Sequence, residues 1–362
     1  MLSLAVQYNE SITLIHLDDG SISINGKLVF VSLKRFRDKV CEEKVCFICA
    51  EESSEPTKEH IVPDWILKRF SLYNQKIQLP NGTLLPYRQY VLPCCMSCNQ
   101  LLSRELEAPI SKAFKAGFEG VEDFLMKGNR STLFVWLALI FVKMHCKDNS
   151  LPLNRDHREN TESIAKELEY DWGLMHHIYC LARASFSEAI IQPEALGSLC
   201  IFSLKVDPDA REHFDIGSIT FANTFSIRIG DVGIIACFGD GGAVQSKLHQ
   251  LFLNRIEGKL KFFQFRELLA HFACCRFHLK NPPYFSSLFD IDKSEVTIVC
   301  TQIDEEPDFH KIDHSILGKL MKLVLYDSPK DFVEIPNYEQ RLLDGDVGFL
   351  FDENGVFISH SD

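Results

Sequence analysis

The sequence lacks any long hydrophobic run and any recognisable export signal. Its longest apolar stretch, residues 133–142, is about half the length of a membrane-spanning helix. The first ten residues lack the basic region followed by an apolar run that marks a secretory signal. We therefore expect residues 133–142 to form a buried helix, no membrane partner, and a cytoplasmic location.

Low-complexity tracts and internal repeats are also missing, which excludes a disordered or solenoid protein. With 46% hydrophobic and 24% charged residues, the 362-residue chain is long enough for two or three domains with buried cores. Its 13 cysteines, without an export signal, indicate a reducing compartment. In that setting thiols bind metal or pack in cores.

The chain carries no overall excess of positive charge, since its net charge is −12. Residues 1–130 contain 16 basic and 16 acidic side chains, whereas the remainder contains 22 and 34. The acidic excess therefore lies outside the first third, and a polyanionic partner is not excluded there. Either phosphate contact or simple solvation accounts for the local basic residues, which are Lys68, Arg69, Lys76, Arg88, Arg104, Lys112 and Lys115.

Two Cys-x-x-Cys pairs dominate the first third of the chain. Cys46 and Cys49 form one pair, and Cys95 and Cys98 form the other. Each pair can place two thiolates on one metal from a tight turn, so together they predict a tetrahedral structural zinc site. Cys94 in place of Cys95 is a less favoured alternative.

Other chemically informative residues lie between and beside these pairs. Glu59-His60 occurs within the loop that the zinc would close, and Asn99 follows the fourth cysteine. Together with the cysteines, they resemble the HNH family of nucleases (His-Me finger, ββα-metal fold), in its four-cysteine zinc branch. The resemblance covers about residues 41–110 and extends to Pro63-Asp64-Trp65 and Leu106-Glu107.

This resemblance implies roles for individual residues. His60 is expected to act as general base, because histidine, with an ordinary pKa of ~6.5, can accept a proton from water near neutral pH. Glu59 and Asn99 are expected to hold Mg²⁺ or Mn²⁺, which prefer oxygen ligands. Glu107 is either a third ligand, a brace, or a solvated helix carboxylate. The expected phosphate contacts are Lys58, Arg104, Lys68, Arg69 and Arg88.

The sequence departs from the family pattern at one position. An asparagine that usually braces the histidine loop is replaced in this region by residues 90–93, Tyr-Val-Leu-Pro. The long gap between Cys49 and Cys95 predicts an insertion at about 67–88. The residue that braces the loop is therefore unidentified from the sequence.

The predicted fold class is α+β. A small β meander over residues 1–40 precedes a zinc-clamped ββα-metal (HNH or treble-clef-like) module at 41–115. A helical region at 116–195 and an acidic, regulatory or partner-binding α+β domain at 196–362 follow. Two alternatives are open for Lys34, Arg35 and Arg37, which face either a phosphate backbone or solvent.

Several local elements are predicted within these regions. Asp64 is expected to cap a short helix, and residues 88–92 to form the second strand of the module. Residues 96–115 read as a helix interrupted at Pro109, and residues 218–229 as one strand. His176-His177 is a poor metal site, since adjacent side chains diverge on a helix.

The function that the resemblance implies is metal-dependent cleavage of DNA. Two alternatives stay open, namely a zinc-dependent nucleic-acid or protein-binding module without catalysis and an HNH nuclease acting on RNA. HNH proteins of this size are often effectors of bacterial anti-phage or restriction defence, sometimes beside an ATPase or sensor subunit. A homo-oligomer is compatible with the sequence.

Overall fold

The computed structural model describes residues 5–8, 12–42, 45–154, 162–206, 213–290, 292–302, 306–325 and 337–359. The chain divides into two compact units. The first comprises residues 1–112, 128–195 and 285–301, and the second comprises 113–127, 196–284 and 302–362. Both units mix helices and strands, so the α+β prediction is confirmed at that level.

The strands are β1 Ala5–Tyr8, β2 Ile12–His16, β3 Ile22–Ile24, β4 Lys27–Phe30, β5 Pro56–His60, β6 Lys76–Gln78, β7 Leu84–Pro86, β8 Val91–Cys95, β9 Ile190–Ile191, β10 Ser198–Ser203, β11 Phe214–Ile219, β12 Thr224–Ile229, β13 Val232–Cys237, β14 Tyr284–Asp290 and β15 Glu295–Gln302. The α-helices are α1 Leu33–Arg35, α2 Asp64–Arg69, α3 Met96–Leu102, α4 Ala108–Lys115, α5 Gly117–Met126, α6 Arg130–Asn149, α7 Ile164–Glu167, α8 Trp172–Ala182, α9 Ala184–Ser187, α10 Ala243–Leu251, α11 Phe262–Phe277, α12 His314–Val324 and α13 Tyr338–Leu343.

The first unit begins with the predicted meander, in which β1 to β4 pair in sequence order. Gly26, at φ +78°, closes the β3–β4 turn after Asn25 in the left-handed region, a conformation that glycine and asparagine tolerate. One face of this sheet packs Leu14 and Ile24 against Val296 of β15. The meander therefore shares a small core with a strand from much later in the chain.

The four-cysteine module, residues 45–107, follows the meander. A tight turn carries Cys46 and Cys49, β5 and β8 form an antiparallel hairpin, and α3 begins directly after β8. The second strand begins at Val91, so its prediction at 88–92 was wrong by about three residues. Residues 87–89 instead form a 3₁₀ turn, because Pro86 sets the chain into a turn before the strand.

The predicted insertion at 67–88 contains a second hairpin, β6–β7, which turns at Gly82. Asp64 is the first residue of α2 rather than its cap, since Pro63 occupies the capping position. The expected interruption at Pro109 was also wrong. The helix widens to a π-helical segment at Ser103–Glu107 and continues into α4, so the irregularity falls before the proline.

Helix α6 contains the apolar run and is buried along most of its length, as predicted. It packs against α8 and contacts β8 of the four-cysteine module. Within the described residues, no single helix combines the length and hydrophobicity needed to cross a membrane. All 13 cysteines are free thiols, and most are buried, in agreement with the prediction from their number and context.

The second unit contains the antiparallel sheet β10-β13-β12-β11, which packs against α11. Its core joins Ile235 of the sheet to Phe265 and Leu268 of α11 and Leu320 of α12. Residues 218–229 are two strands rather than the one predicted. Asn223, at φ +46°, turns the chain between them, because asparagine adopts left-handed backbone conformations more readily than most residues.

Candidate metal centre and active site

The four predicted zinc cysteines converge. The sulfurs of Cys46, Cys49, Cys95 and Cys98 lie within 4.8 Å of one another. In the described part of the chain, no other group of three or more His, Cys, Asp or Glu side chains brings its ligand atoms together in this way. Four thiols at this spacing fit a tetrahedral ion such as zinc.

The fifth cysteine of the region, Cys94, lies beside this cluster without joining it. Its sulfur is 3.9 Å from that of Cys46, and its side chain is buried. Cys95 is half-buried, with its sulfur 4.0 Å from that of Cys49. Because successive side chains of a strand point to opposite faces, only one of the two can serve the cluster, and the structure selects Cys95.

The thiols perturb one another in the way expected of a metal-binding group. Hydrogen bonding with Cys49, Cys94 and Cys98 holds the pKa of Cys46 far below its ordinary value. The pKa of Cys98 is raised far above its ordinary value, first by its hydrogen bond with Cys46. The closely spaced sulfurs therefore compete for the same protons. A divalent cation bound by the four thiolates would remove this competition.

Two arginines from outside the module hold the Cys46–Cys49 turn. Arg183, which is almost fully buried, donates to the carbonyl of Ile48 at 2.5 Å and to that of Leu28 at 2.7 Å. Arg35 donates twice to the carbonyl of Ala50, at 3.1 and 3.0 Å. Arg35, considered for phosphate contact from the sequence, is therefore engaged with the Cys46–Cys49 turn and with Asp19.

The β5–β8 hairpin determines where Glu59 and His60 lie. In the antiparallel register Glu59 is opposite Leu92, and His60 is opposite Val91. The two side chains point to opposite faces of the strand, and Glu59 is buried while His60 is half-buried. Thr57 shares the face of Glu59, and Lys58 shares the face of His60.

The buried face of β5 contains an ion pair that sequence reasoning missed. Lys143 of α6, whose side chain is fully buried, donates to Glu59 Oε1 at 3.0 Å and to the His60 carbonyl at 2.6 Å. The signal was present in the sequence, because a lysine at the end of an apolar run must find a partner once its helix is buried.

Glu107, for which the sequence leaves the roles of ligand, brace and solvated carboxylate open, lies close enough to this ion pair to interact with it electrostatically. Burial, and secondly the charge of Glu59, raise the pKa of Glu107 to about 7, while Lys143 opposes the shift. Among the residues that the structure describes, no group hydrogen-bonds its buried Oε1 atom. Two neighbouring carboxyl groups with an unsatisfied oxygen provide donor chemistry that suits a hard divalent cation.

His60 lies on the other face, beside residues of the insertion. Its ring meets the ring of Tyr73 edge to face, with centroids 5.9 Å apart. Tyr73 donates its hydroxyl to Asp64, which also pairs with Lys68 at 2.5 Å. Burial acts to raise the pKa of Asp64, but the hydrogen bonds from Lys68 and Tyr73 outweigh it and lower the pKa. Asp64 therefore presents a negative charge near His60.

Asn99 lies in the first turn of α3, as predicted. Its amide donates to Thr57 Oγ1 at 3.4 Å, and the Thr57 hydroxyl donates to the carbonyl of Cys94 at 2.9 Å. This contact places Asn99 on the face of β5 that carries Glu59. Glu59, Glu107 and Lys143 therefore interact through their charges, and Asn99 lies on the same face of β5 as Glu59. The contacts of His60 lie on the opposite face of that strand.

The five predicted phosphate-binding residues are all exposed. Lys58 shares the His60 face of β5. Lys68 pairs with Asp64, and Arg104 pairs with Glu105 at 2.7 Å. Arg69 lies over the Phe70 ring, and Arg88 donates to Asn74. Exposed pairs of this kind are weak and are readily exchanged for a phosphate.

A shallow groove of about 360 Å³ lies beside α3. It is lined by Ser97, Gln100 and Arg104 of the module and by Lys27 and Phe186. Cys98 of the four-cysteine cluster also lines this groove, whereas the predicted catalytic residues do not.

Comparison of this chain with protein-family models, with curated proteins and with solved structures finds no match.

Proposed function

We propose that this chain is a metal-dependent endonuclease of the HNH type that hydrolyses DNA. One observation carries the proposal. The four-cysteine cluster joins the β5–β8 hairpin to α3, with Glu59-His60 at the end of the first strand and Asn99 in the first turn of the helix. A zinc module that only binds a partner needs neither residue in that position.

In this proposal His60 is the general base. It accepts a proton from the attacking water, while the charge of Asp64 and the Tyr73 ring limit how the imidazole can turn. Lys58, exposed on the same face, holds a phosphate of the substrate from that side. Arg104, Lys68, Arg69 and Arg88 supply further backbone contacts that carry no sequence information.

Glu59, Asn99 and Glu107 are the residues that would hold Mg²⁺ or Mn²⁺. When bound, such a cation neutralises charge that develops on the phosphate and the leaving oxygen. The raised pKa of Glu107 and its unsatisfied oxygen support this assignment. Zinc, held by the four cysteines, has a structural role only.

A zinc-dependent binding module without catalysis is the second candidate. The Glu59–Lys143 ion pair favours it, because a carboxylate already paired in a buried site can be purely structural. An RNA substrate for the same chemistry is a third candidate, since nothing in the module distinguishes a ribose from a deoxyribose. By family association, the nuclease is an effector of bacterial anti-phage or restriction defence, with an ATPase or sensor subunit or a second copy as partner.

The first prediction compares His60→Ala with His16→Ala, which replaces an exposed histidine of β2. Plasmid nicking with Mn²⁺ should fall by roughly 10²-fold or more in His60→Ala, because loss of a general base has that effect. His16→Ala should cut like the wild type. Both variants should keep one zinc per chain, measured by elemental analysis.

EDTA should abolish nicking by the wild type. If DNA is the substrate, the wild type should not cleave total RNA. Substantial cleavage by purified His60→Ala would remove His60 from the role of base. A wild-type protein that is folded, zinc-loaded and inert on both nucleic acids would favour the binding module.

A further inference from the structure

Lys143 makes contacts that a simple ion pair does not require. Its ammonium reaches two consecutive residues of β5, through the Glu59 carboxylate and the His60 carbonyl, and it lies 5.9 Å from the centre of the Phe47 ring. An ammonium has three hydrogens to donate, and in a buried site each must find an acceptor. Two of them therefore fix both the side chain of Glu59 and the peptide of His60.

The held peptide lies where β5 ends. The next amide, of Ile61, donates to the Tyr90 carbonyl at 3.0 Å, and Pro63 then turns the chain into α2. His60 thus has its carbonyl fixed from the buried face while its imidazole points to the other face. Because a side chain follows the orientation of its own peptide, this contact limits the directions that the imidazole can adopt.

The same contact fixes the Glu59 side chain. A carboxylate buried in the protein interior needs a charged or hydrogen-bonding partner, and Lys143 supplies one at Oε1, 3.0 Å away. Glu107 lies close enough to Glu59 to interact with it electrostatically.

We propose that Lys143 is a positioning residue for the candidate active site, holding the His60 peptide and the Glu59 carboxylate in their working orientation. This inference rests on the proposed function for its catalytic consequence. The positioning itself can be measured without any cleavage assay. Helix α6, which lies outside the ββα segment, would then be an integral part of the site.

The test compares Lys143→Met with Lys147→Met, a lysine one turn further along α6. Selective ¹³C labelling of histidine gives an imidazole spectrum, in which His60 is identified by the signal lost in His60→Gln. The His60 signal should move or broaden in Lys143→Met and stay in place in Lys147→Met. On a cleaved substrate, kcat should fall by roughly 10-fold to 10²-fold with little change in KM, because a misplaced base affects the chemical step.

Lys143→Met leaves Glu59 buried without its ion-pair partner, which destabilises the fold. The double variant Lys143→Met/Glu59→Gln removes that carboxylate. In the double variant the His60 carbonyl still lacks its donor, and the His60 signal should remain displaced. Lys143→Arg, which keeps the charge, should restore part of kcat.

The proposal would be overturned if the His60 signal stayed at its wild-type position in folded Lys143→Met and in the folded double variant Lys143→Met/Glu59→Gln. Wild-type protein that cuts neither DNA nor RNA would contradict the nuclease function instead. The imidazole spectra would still decide whether Lys143 positions His60, so the two failures are distinguishable.

Discussion

At the scale of single residues, Glu107 lies in an environment that disfavours its ionised form. Its pKa is raised from 4.5 to about 7 by burial and by Glu59. An unfolded chain releases this proton near pH 4.5, whereas the folded chain keeps it until about pH 7. The free energy of unfolding therefore falls as pH rises through that window, and the loss from Glu107 reaches roughly 3 kcal/mol at most above pH 7.

The second prediction follows from this decrease in the free energy of unfolding with rising pH. Glu107→Gln should melt at a higher temperature than the wild type at pH 8. The difference should shrink as pH falls and disappear only below about pH 4, where Glu107 is protonated in both the folded and the unfolded chain. Glu105→Gln, an exposed neighbour on the same helical segment, is the matched control and should show no such pH dependence. Thermal melts across this pH range measure it.

Glu107 also allows the proposed binding of Mg²⁺ to be tested. Mg²⁺ bound at Glu107 should raise the melting temperature of the wild type at pH 8, because a ligand that binds only the folded state stabilises it. Glu107→Gln should lose most of that increase. An equal increase in both proteins would remove Glu107 from the cation site, whether or not the protein cuts DNA.

At the scale of elements, the four-cysteine cluster joins the Cys46–Cys49 turn, the β5–β8 hairpin and α3. The third prediction is that Cys95→Ser loses zinc and unfolds at a much lower temperature. Zinc binding in such modules is coupled to folding and is worth on the order of 10 kcal/mol. Elemental analysis and thermal melts measure both effects.

Cys94→Ser is the matched control for that variant, because its sulfur lies 3.9 Å from Cys46 yet outside the cluster. It should keep one zinc per chain, with only the modest loss of stability that a buried hydroxyl causes. If Cys94→Ser loses zinc and Cys95→Ser keeps it, the ligand set must be exchanged.

Sequence patterns could predict the elements that depend on local chemistry. The two Cys-x-x-Cys pairs and the buried helix α6 each carry their signal within a few residues. The contacts by which Lys143 and Arg183 hold the four-cysteine module could not be predicted this way. Lys143 and Arg183 lie 83 and 135 residues from the carbonyls of His60 and Ile48, so their partners depend on tertiary packing.

The strand boundaries failed for a related reason. Tyr90 and Val91 have similar strand preferences, and only the pairing of Val91 with His60 decides where β8 begins. In the same way, the turn at Asn223 divides a run that reads as one continuous strand, because the left-handed conformation of one residue outweighs the propensity of its neighbours.

At the scale of the whole molecule, the acidic excess lies beyond residue 130. One hypothesis is that this charge restrains the proposed nuclease by repelling DNA until a partner or trigger acts. The competing hypothesis is an acidic surface that only confers solubility. Truncation at residue 130 cannot separate them cleanly. It would also remove Lys143 and Arg183, which hold the His60 peptide and the Cys46–Cys49 turn.

The fourth prediction therefore changes charge and leaves the chain intact. Glu257, Glu306, Glu339 and Glu353 are exposed residues of the second unit, and replacing all four with Gln removes four negative charges. DNA binding should tighten at low salt if the acidic surface repels DNA. The gain should shrink as ionic strength rises, because such fields are screened over ~8 Å at physiological salt.

The control replaces the same four residues with Asp, which preserves the charge and alters only the side-chain length. Both quadruple variants should keep the wild-type zinc content and melting temperature, since exposed substitutions rarely affect stability. Fluorescence anisotropy with a labelled duplex, from about 20 to 500 mM salt, spans weak to strong screening. Equal DNA affinity of the two variants at every salt concentration would leave solubility as the role of the acidic surface.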